Sequence, residues 1–207
     1  MEYTIIDKST WKRKEYFEHY FCKNPCTYSL TTKLDITNLK RKGLKLYPTM
    51  LYLLTKTVNK YEQFRTALRR DGEVVIFANM EPCYTVFRRE TETFSNLWTE
   101  YSENYDIFCA NYEDDIRKYG KVEGFVGKQN IPENSFTVSM IPWESFDGFN
   151  LNINNYNYLL PIFTIGKYYE YGGKIWLPLA VQVHHAVCDG YHTCRFINDM
   201  QLQLHEM

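Results

Sequence analysis

The chain has 207 residues, of which 44% are hydrophobic, 17% aromatic and 24% charged, with a formal net charge of -1. This composition is typical of one folded domain spanning residues 1–207, and it excludes an intrinsically disordered chain. No basic excess points to nucleic acid, no Lys/Arg cluster is long enough to suggest a membrane surface, and no apolar run approaches the 18 residues of a membrane span. The N-terminus lacks a signal-peptide pattern, and six cysteines at irregular spacing predict reduced thiols, so we expect a cytosolic protein.

The first third of the chain predicts two strands and two helices. Residues 2–7 can form a short strand, and Ser9 is placed to cap a helix over residues 10–22. Apolar and polar residues alternate over 27–36, which is the period of a half-buried antiparallel strand. A proline in the first turn and an apolar stripe predict a second helix over residues 48–64.

The middle of the chain predicts a hairpin, a helix and a long loop. Two strand-like runs, 73–78 and 83–88, follow an Asp-Gly turn signal and predict a β-hairpin. Aromatic and aliphatic residues at helical spacing predict a helix over residues 105–119, ended by glycine. Residues 120–134 carry three glycines and a proline without periodicity, so we expect a loop, and long loops are often functional.

The last third predicts strands over 135–141, 148–153, 160–168 and 174–184, followed by a closing helix over residues 191–205. Most strands follow one another directly, without the strand-helix alternation of a parallel sheet. This order favours a two-layer α/β sandwich, in which a mixed, mostly antiparallel sheet carries helices on one face.

The sequence HHAVCDGYH, residues 184–192, follows the last strand and is the strongest candidate for a functional site. Histidine is well suited to accept a proton near neutral pH, and the glycine after Asp189 permits a tight turn. The residues alone leave three alternatives: a catalytic site, a zinc cluster, and a packed turn with a buried, hydrogen-bonded histidine. Zinc-binding spacings such as CxxC and HExxH are missing, so we expect no metal.

Two further residues are ambiguous on pattern alone. Ser139 ends a predicted strand shortly before a Pro-Trp corner, where an ordinary strand hydroxyl is one interpretation. Together with His185 and Asp189 it permits a serine hydrolase hypothesis, but the GxSxG nucleophile elbow is missing. Arg13 lies on the first predicted helix, and its pattern alone predicts exposure to solvent.

Seven blocks of the chain resemble the chloramphenicol acetyltransferases, in the order and approximate spacing of that family. They are RKEYFEHY, YPTMLYL, TETFSNLW, TVSMIPW, FDGFNLNI, PIFTIGKYY and QVHHAVCDGYHTCRFIN. The HHxxxDG core is also similar to that of dihydrolipoyl acyltransferases and condensation domains, which are longer or carry extra domains. The resemblance covers nearly the whole chain and implies a CoA-dependent acyltransferase-like fold.

The resemblance implies a resistance enzyme that moves the acetyl group of acetyl-CoA to the 3-hydroxyl of chloramphenicol by direct attack in a ternary complex. His185, the second histidine of the pair, matches the family's general base, with His184 as the alternative. Ser139 matches a serine that donates to the oxyanion of the tetrahedral intermediate. Asp189 and Arg13 match a structural ion pair. Thr164 matches a threonine that acts through bound water.

The resemblance also implies an acceptor pocket suited to a nitrophenyl ring. Its matched residues are Tyr20, Cys26, Phe94, Phe149, Leu151 and Ile153. Departures from the family pattern occur at Asn24 and Asn96 and in the loop near Phe125 and Val126. The family is homotrimeric with active sites between subunits, so the expected partners are chloramphenicol, acetyl-CoA and two further copies of this chain. A same-fold acetyltransferase for another hydroxylated xenobiotic and an inert binding protein are the remaining alternatives.

Overall fold

The structure is a computed structural model that describes residues 1–152 and 157–207. Its strands are β1 Tyr3–Ile5, β2 Thr27–Asp35, β3 Thr66–Leu68, β4 Val74–Phe77, β5 Glu81–Arg88, β6 Thr93–Trp98, β7 Ser135–Met140, β8 Ile162–Ile165, β9 Tyr169–Tyr171 and β10 Lys174–His184. Its α-helices are α1 Lys14–Phe17, α2 Thr37–Arg41, α3 Leu46–Lys60, α4 Tyr105–Tyr119 and α5 Gly190–Glu206. A π-helical segment, Glu18–Lys23, continues α1, and a 3-10 turn, Glu62–Phe64, follows α3.

The larger sheet has the strand order β2-β10-β8-β7-β5-β6, and β9 pairs with the start of β10. Strand β10 lies antiparallel to β2 and β8, and β5 lies antiparallel to β6. Strand β7 is parallel to both of its neighbours, β5 and β8. The predicted mixed, mostly antiparallel sheet is therefore confirmed.

Alternate side chains of the larger sheet point to opposite faces, because the side-chain period of a strand is two. One row is fully buried in the core that α3, α4 and α5 also line; it includes Leu179, Val181, Phe163 and Val138. Complete burial of such a side chain contributes about 1.5–3 kcal/mol. The residues between them lie on the other face, here called the open face. Across β2, β10, β8, β7, β5 and β6 they include Thr31, Ala180, Gln182, Thr164, Ser139, Cys83 and Phe94.

The predicted hairpin over 73–78 and 83–88 is wrong. Strand β4 pairs with β1 and β3 in a separate three-stranded sheet, whereas β5 belongs to the larger sheet. The chain between them is held by a side chain of α3: Asn59 accepts the N–H of Met80 at 2.7 Å and donates to its carbonyl at 3.3 Å. Residues 73–88 alone do not show this contact, because Asn59 is distant from them in sequence. The hairpin partner of β5 is β6, which was not predicted as a strand.

The predicted strand over 148–153 does not form in residues 148–152. This segment lies across the open face and bonds to side chains of the sheet instead of to a neighbouring strand. The N–H of Phe149 donates to Thr31 Oγ1 at 3.2 Å, and the N–H of Leu151 donates to Gln182 Oε1 at 3.0 Å. The polar side chains of the open face have thus taken the main-chain donors that a strand ladder needs. Ile153 lies outside the described residues.

The first helix begins later than the sequence predicts. Ser9 does not cap it, because the side chain of Asp7 accepts the N–H of Ser9 at 2.9 Å and folds residues 7–13 into turns. Helix α1 starts at Lys14. The predicted helices at α3, α4 and α5 are confirmed with small shifts of their ends, and residues 120–134 form the expected loop.

Candidate active site

The loop between β10 and α5 folds tightly around His184. This residue is 1% exposed, and its Nδ1 accepts the N–H of Ala186 at 3.1 Å. Its carbonyl accepts the N–H groups of Val187 and Cys188 at 3.1 and 3.0 Å. Because every one of these contacts holds the turn closed, His184 has the structural role that the packed-turn alternative describes.

His185, in contrast, keeps 30% of its side chain exposed. Tyr20 stacks on one side of the imidazole, with ring centroids 4.1 Å apart and planes 5° apart, and Tyr28 meets it edge-on at 5.4 Å. The N–H of His185 donates to the carbonyl of Cys26 at 2.9 Å. Its Nδ1 is buried 3.0 Å from Oδ1 of Asp189, without the alignment of a hydrogen bond. The exposed part of the imidazole is therefore not the edge that carries Nδ1.

Arg13 ties this loop to the N-terminal segment and is mostly buried, so the exposure expected from its pattern alone is wrong. Its Nη2 and Nη1 donate to Oδ1 and Oδ2 of Asp189 at 2.5 and 2.7 Å. Its Nε donates to the carbonyl of Ala186 at 2.8 Å, and Nη2 also donates to that of His185 at 2.9 Å. The guanidinium hydrogen bonds hold the pKa of Asp189 below its usual range. Arg13 therefore both pairs with the charge of Asp189 and holds the backbone of the loop.

The double change at this ion pair should be less harmful than the sum of the two single changes. Arg13→Val or Asp189→Ala leaves one charge unpaired, at a cost of about 3 kcal/mol, the low end for buried pairs because Asp189 is 33% exposed. The double variant removes both charges, and its loss should fall short of the sum of the singles by about 0.5–3 kcal/mol. Urea unfolding of the four proteins measures this coupling, and additive losses would contradict the ion pair.

A second group of predicted site residues lies on the open face. Ser139 pairs in register with Thr164 of the neighbouring strand, and Thr164 pairs with Ala180 on β10. Phe149 and Leu151 lie over the same face on the segment that crosses it. Ser139 and Thr164 therefore lie side by side, whereas Phe149 and Leu151 are held by Thr31 and Gln182, and Gln182 lies two residues before His184 on β10.

Within one chain Ser139 lies far from the loop of His185. His184 lies four residues beyond Ala180 on β10, and Ser139 lies two strands across from Ala180. At about 3.3 Å per residue and about 4.8 Å between strands, the backbone positions of His184 and Ser139 are about 16 Å apart. Serine and histidine side chains together are shorter than this distance, so the Ser139 hydroxyl does not contact the His184–His185 pair within one chain.

Phe94 lies on the edge strand β6, where it is exposed, and its ring is 5.9 Å from that of Phe125 in the long loop. The two rings line an open cavity of about 500 Å³. Asn96 forms a β-bridge to Val126, which fastens the loop to β6. The loop that departs from the family pattern in sequence thus lies beside a matched pocket residue.

Two residues that contact this site received no catalytic or structural role from the sequence. Tyr28 is on β2, and its hydroxyl lies 2.8 Å from Thr193 Oγ1 while its ring contacts His185. His192 is on α5, and its Nδ1 accepts the N–H of Asp189 at 3.0 Å. The alternation of β2 placed Tyr28 on the buried side, but the contact with His185 depends on strand pairing that the local pattern does not encode.

All six cysteines are free thiols. No helix within residues 1–152 or 157–207 combines the length and apolar character that crossing a membrane requires. In the same ranges, no three His, Cys, Asp or Glu side chains are grouped as metal ligands would be.

The fold defines the class. A solved chloramphenicol acetyltransferase superposes with a TM-score of 0.86 at 21% identity, covering 98% of this chain and 100% of that chain. A truncated catalytic core of the 2-oxoacid dehydrogenase multienzyme complex from Thermoplasma acidophilum superposes with a TM-score of 0.68 at 13% identity, covering 98% of both chains. The protein therefore has the CoA-dependent acyltransferase-like fold that the sequence predicts.

Sequence comparison defines the family within that class. The family model of chloramphenicol acetyltransferase matches residues 1–201. The chain is 59% identical to a chloramphenicol acetyltransferase of Campylobacter coli over 97% of this chain and 98% of that protein. It is 46% identical to one of Staphylococcus aureus over 100% of this chain and 98% of that protein. The chain belongs to the chloramphenicol acetyltransferase family, which confirms the resemblance found in the sequence.

Proposed function

We propose that this protein transfers the acetyl group of acetyl-CoA to the 3-hydroxyl of chloramphenicol and so confers resistance to it. The observation that carries the proposal is the geometry of His185: a partly exposed imidazole, fixed by ring contacts and beside a carboxylate, in a chain of this family. His184 is fully buried, so His185 is the histidine of the pair that a substrate can reach.

In the proposed reaction His185 acts as the general base. Its Nε2 takes the proton of the 3-hydroxyl while that oxygen attacks the thioester carbonyl carbon, since an alcohol is a weak nucleophile at neutral pH until its proton is accepted. The tetrahedral intermediate then collapses, the carbon-sulfur bond breaks, and the CoA thiolate takes the proton back from the imidazolium. The products are acetylated chloramphenicol and CoA, with His185 returned to its starting state and no acyl-enzyme formed.

The surroundings of His185 suit this cycle. Asp189, 3.0 Å from Nδ1, favours the positive charge that the imidazole carries in the transition state. The ring of Tyr20 holds the imidazole plane from one side, so the proton-accepting nitrogen keeps one direction. In turn, Arg13 holds both the carboxylate and the carbonyl of His185. A positioned base of this kind contributes about 10²- to 10⁴-fold to rate.

We infer that each active site takes His185 from one subunit and Ser139 from its neighbour in a homotrimer. The separation of about 16 Å within one chain supports this arrangement, because a hydroxyl that stabilises the oxyanion must be within about 3 Å of it. Ser139 would donate that hydrogen bond, and Thr164, its neighbour in the sheet register, would act through a bound water.

The acceptor would bind among the matched apolar residues. Tyr20 and Cys26 belong to the His185 group, Phe149 and Leu151 to the open face, and Phe94 to the edge strand. Aromatic and aliphatic surfaces of this kind suit a nitrophenyl ring better than a sugar. Ile153 completes the proposed set from the resemblance alone.

We further propose that residues 1–207 act as one domain, and that the protein works in the cytosol, where acetyl-CoA is available and thiols stay reduced.

The test is to measure free thiol release from acetyl-CoA with and without chloramphenicol, with the product identified by mass. We expect release that depends on chloramphenicol and a product heavier by one acetyl group. Release without an acceptor would indicate a hydrolase. Release only with other hydroxylated acceptors would indicate a same-fold acetyltransferase with another substrate, and either result would overturn the proposed function.

A further inference from the structure

His192, at the third position of α5, folds back onto the loop that carries His185. Its Nδ1 accepts the N–H of Asp189 at 3.0 Å, and its side chain is only 18% exposed. A third-position side chain that accepts the N–H of the residue before the helix completes a capping box. Asp189 is therefore fixed from two sides, through its carboxylate by Arg13 and through its backbone by His192.

The charge of the capping side chain matters because the Asp189 carboxylate lies beside it. Capping boxes commonly use Glu or Gln at the third position. Here Nδ1 of His192 lies 3.9 Å from Oδ2 of Asp189, so a glutamate would place a second carboxylate next to the first. Two neighbouring carboxylates raise the pKa of one of them and would compete for Arg13.

We propose that His192 is a positioning residue that caps α5 with a neutral acceptor, so that the Asp189 carboxylate stays shared between Arg13 and His185. The inference rests on the proposed function, in which that carboxylate supports the general base. It adds a residue that the family resemblance did not assign.

The electrostatic surroundings keep His192 neutral. Burial lowers the pKa of His192 below its usual value, and the charges of Arg13 and Arg195 lower it further, while Asp189 opposes them. His192 also lines a cavity of about 570 Å³, whose other ionisable lining residues are Asp7, Lys12, Arg13, Tyr16 and Glu62. A neutral ring whose Nδ1 accepts a hydrogen bond must carry its proton on Nε2.

Three substitutions separate positioning from simple capping. His192→Gln supplies a neutral acceptor, His192→Glu supplies an acceptor of the same length with a negative charge, and His192→Leu supplies none. His192→Gln should keep the melting temperature near that of the wild type. His192→Gln should recover most of the activity that His192→Leu loses, whereas His192→Glu should lower kcat at least about tenfold below His192→Gln with little change in KM for chloramphenicol.

Equal kcat for the Gln and Glu variants would overturn the proposal, because the charge would then be irrelevant and the cap merely structural. This comparison does not depend on whether His192→Leu folds. Nitrogen NMR of the His192 ring gives a readout without activity: we expect Nδ1 unprotonated and Nε2 protonated at pH 7. A ring protonated on Nδ1 would also overturn the assignment. If wild-type protein fails to acetylate chloramphenicol, the proposed function fails separately, and the ring tautomer still tests the cap.

Discussion

Replacing His185 with alanine should lower kcat for chloramphenicol acetylation by about 10²- to 10⁴-fold. The loss falls on kcat because the proton transfer belongs to the transition state, whereas most contacts that bind the acceptor come from other side chains. Calorimetry should therefore still detect chloramphenicol binding. Steady-state kinetics with both substrates varied measures the effect.

The matched control is His184→Asn, because the side-chain oxygen of asparagine can accept the Ala186 N–H that Nδ1 of His184 accepts in the wild type. We expect this variant to lose about 1–3 kcal/mol of stability through imperfect packing and hydrogen bonding, while kcat stays within about tenfold of the wild type. The reverse pattern, near-normal turnover for His185→Ala and none for His184→Asn, would reassign the base to His184.

Loss of the Ser139 hydroxyl should be the second-largest effect. Ser139→Ala removes one oxyanion donor and should lower kcat by about 10²- to 10³-fold, and a residual rate should remain because His185 still activates the acceptor. Ser135→Ala is the matched control, since Ser135 lies on the same strand and the same face of β7. Its kcat should stay near that of the wild type.

Intact mass measurement decides whether Ser139 stabilises or attacks. Wild-type protein incubated with acetyl-CoA alone and quenched should keep its unmodified mass, because direct transfer forms no covalent intermediate. A stoichiometric acetyl adduct on Ser139 that transfers to added chloramphenicol would instead make Ser139 the nucleophile and would falsify direct transfer.

The sequence predicts the elements whose pattern is local. The alternation of β2, the apolar stripe of α3 and the helical spacing of α4 all have the periods of their structures, so their positions follow from residues near one another. The failure at 73–88 has the opposite cause. Strand β4 pairs with β1 and β3, whereas β5 pairs with β6 and β7. The residues of 73–88 alone do not determine which sheet each strand joins.

The site shows the same limit. Arg13 is bound to Asp189, 176 residues away in sequence, so its helix pattern alone predicts the wrong environment, and only the family resemblance suggested the pair. His192 carries a weak local signal, its place three residues after Asp189, which capping chemistry could have used. Predicting the separation of His185 from Ser139 requires the strand order and register. Ser139 lies two strands from β10, and His184 lies four residues along β10 from Ala180.

Subunit mixing tests the shared active site most directly. His185→Ala and Ser139→Ala subunits, each nearly inactive alone, are unfolded together in equal amounts and refolded, with wild-type protein treated in parallel. In a closed three-fold ring about three quarters of the trimers are mixed, and each mixed trimer restores one of its three sites. The mixture should therefore recover about one quarter of wild-type activity. Activity no higher than the sum of the two parents would contradict a site built from His185 of one subunit and Ser139 of the next.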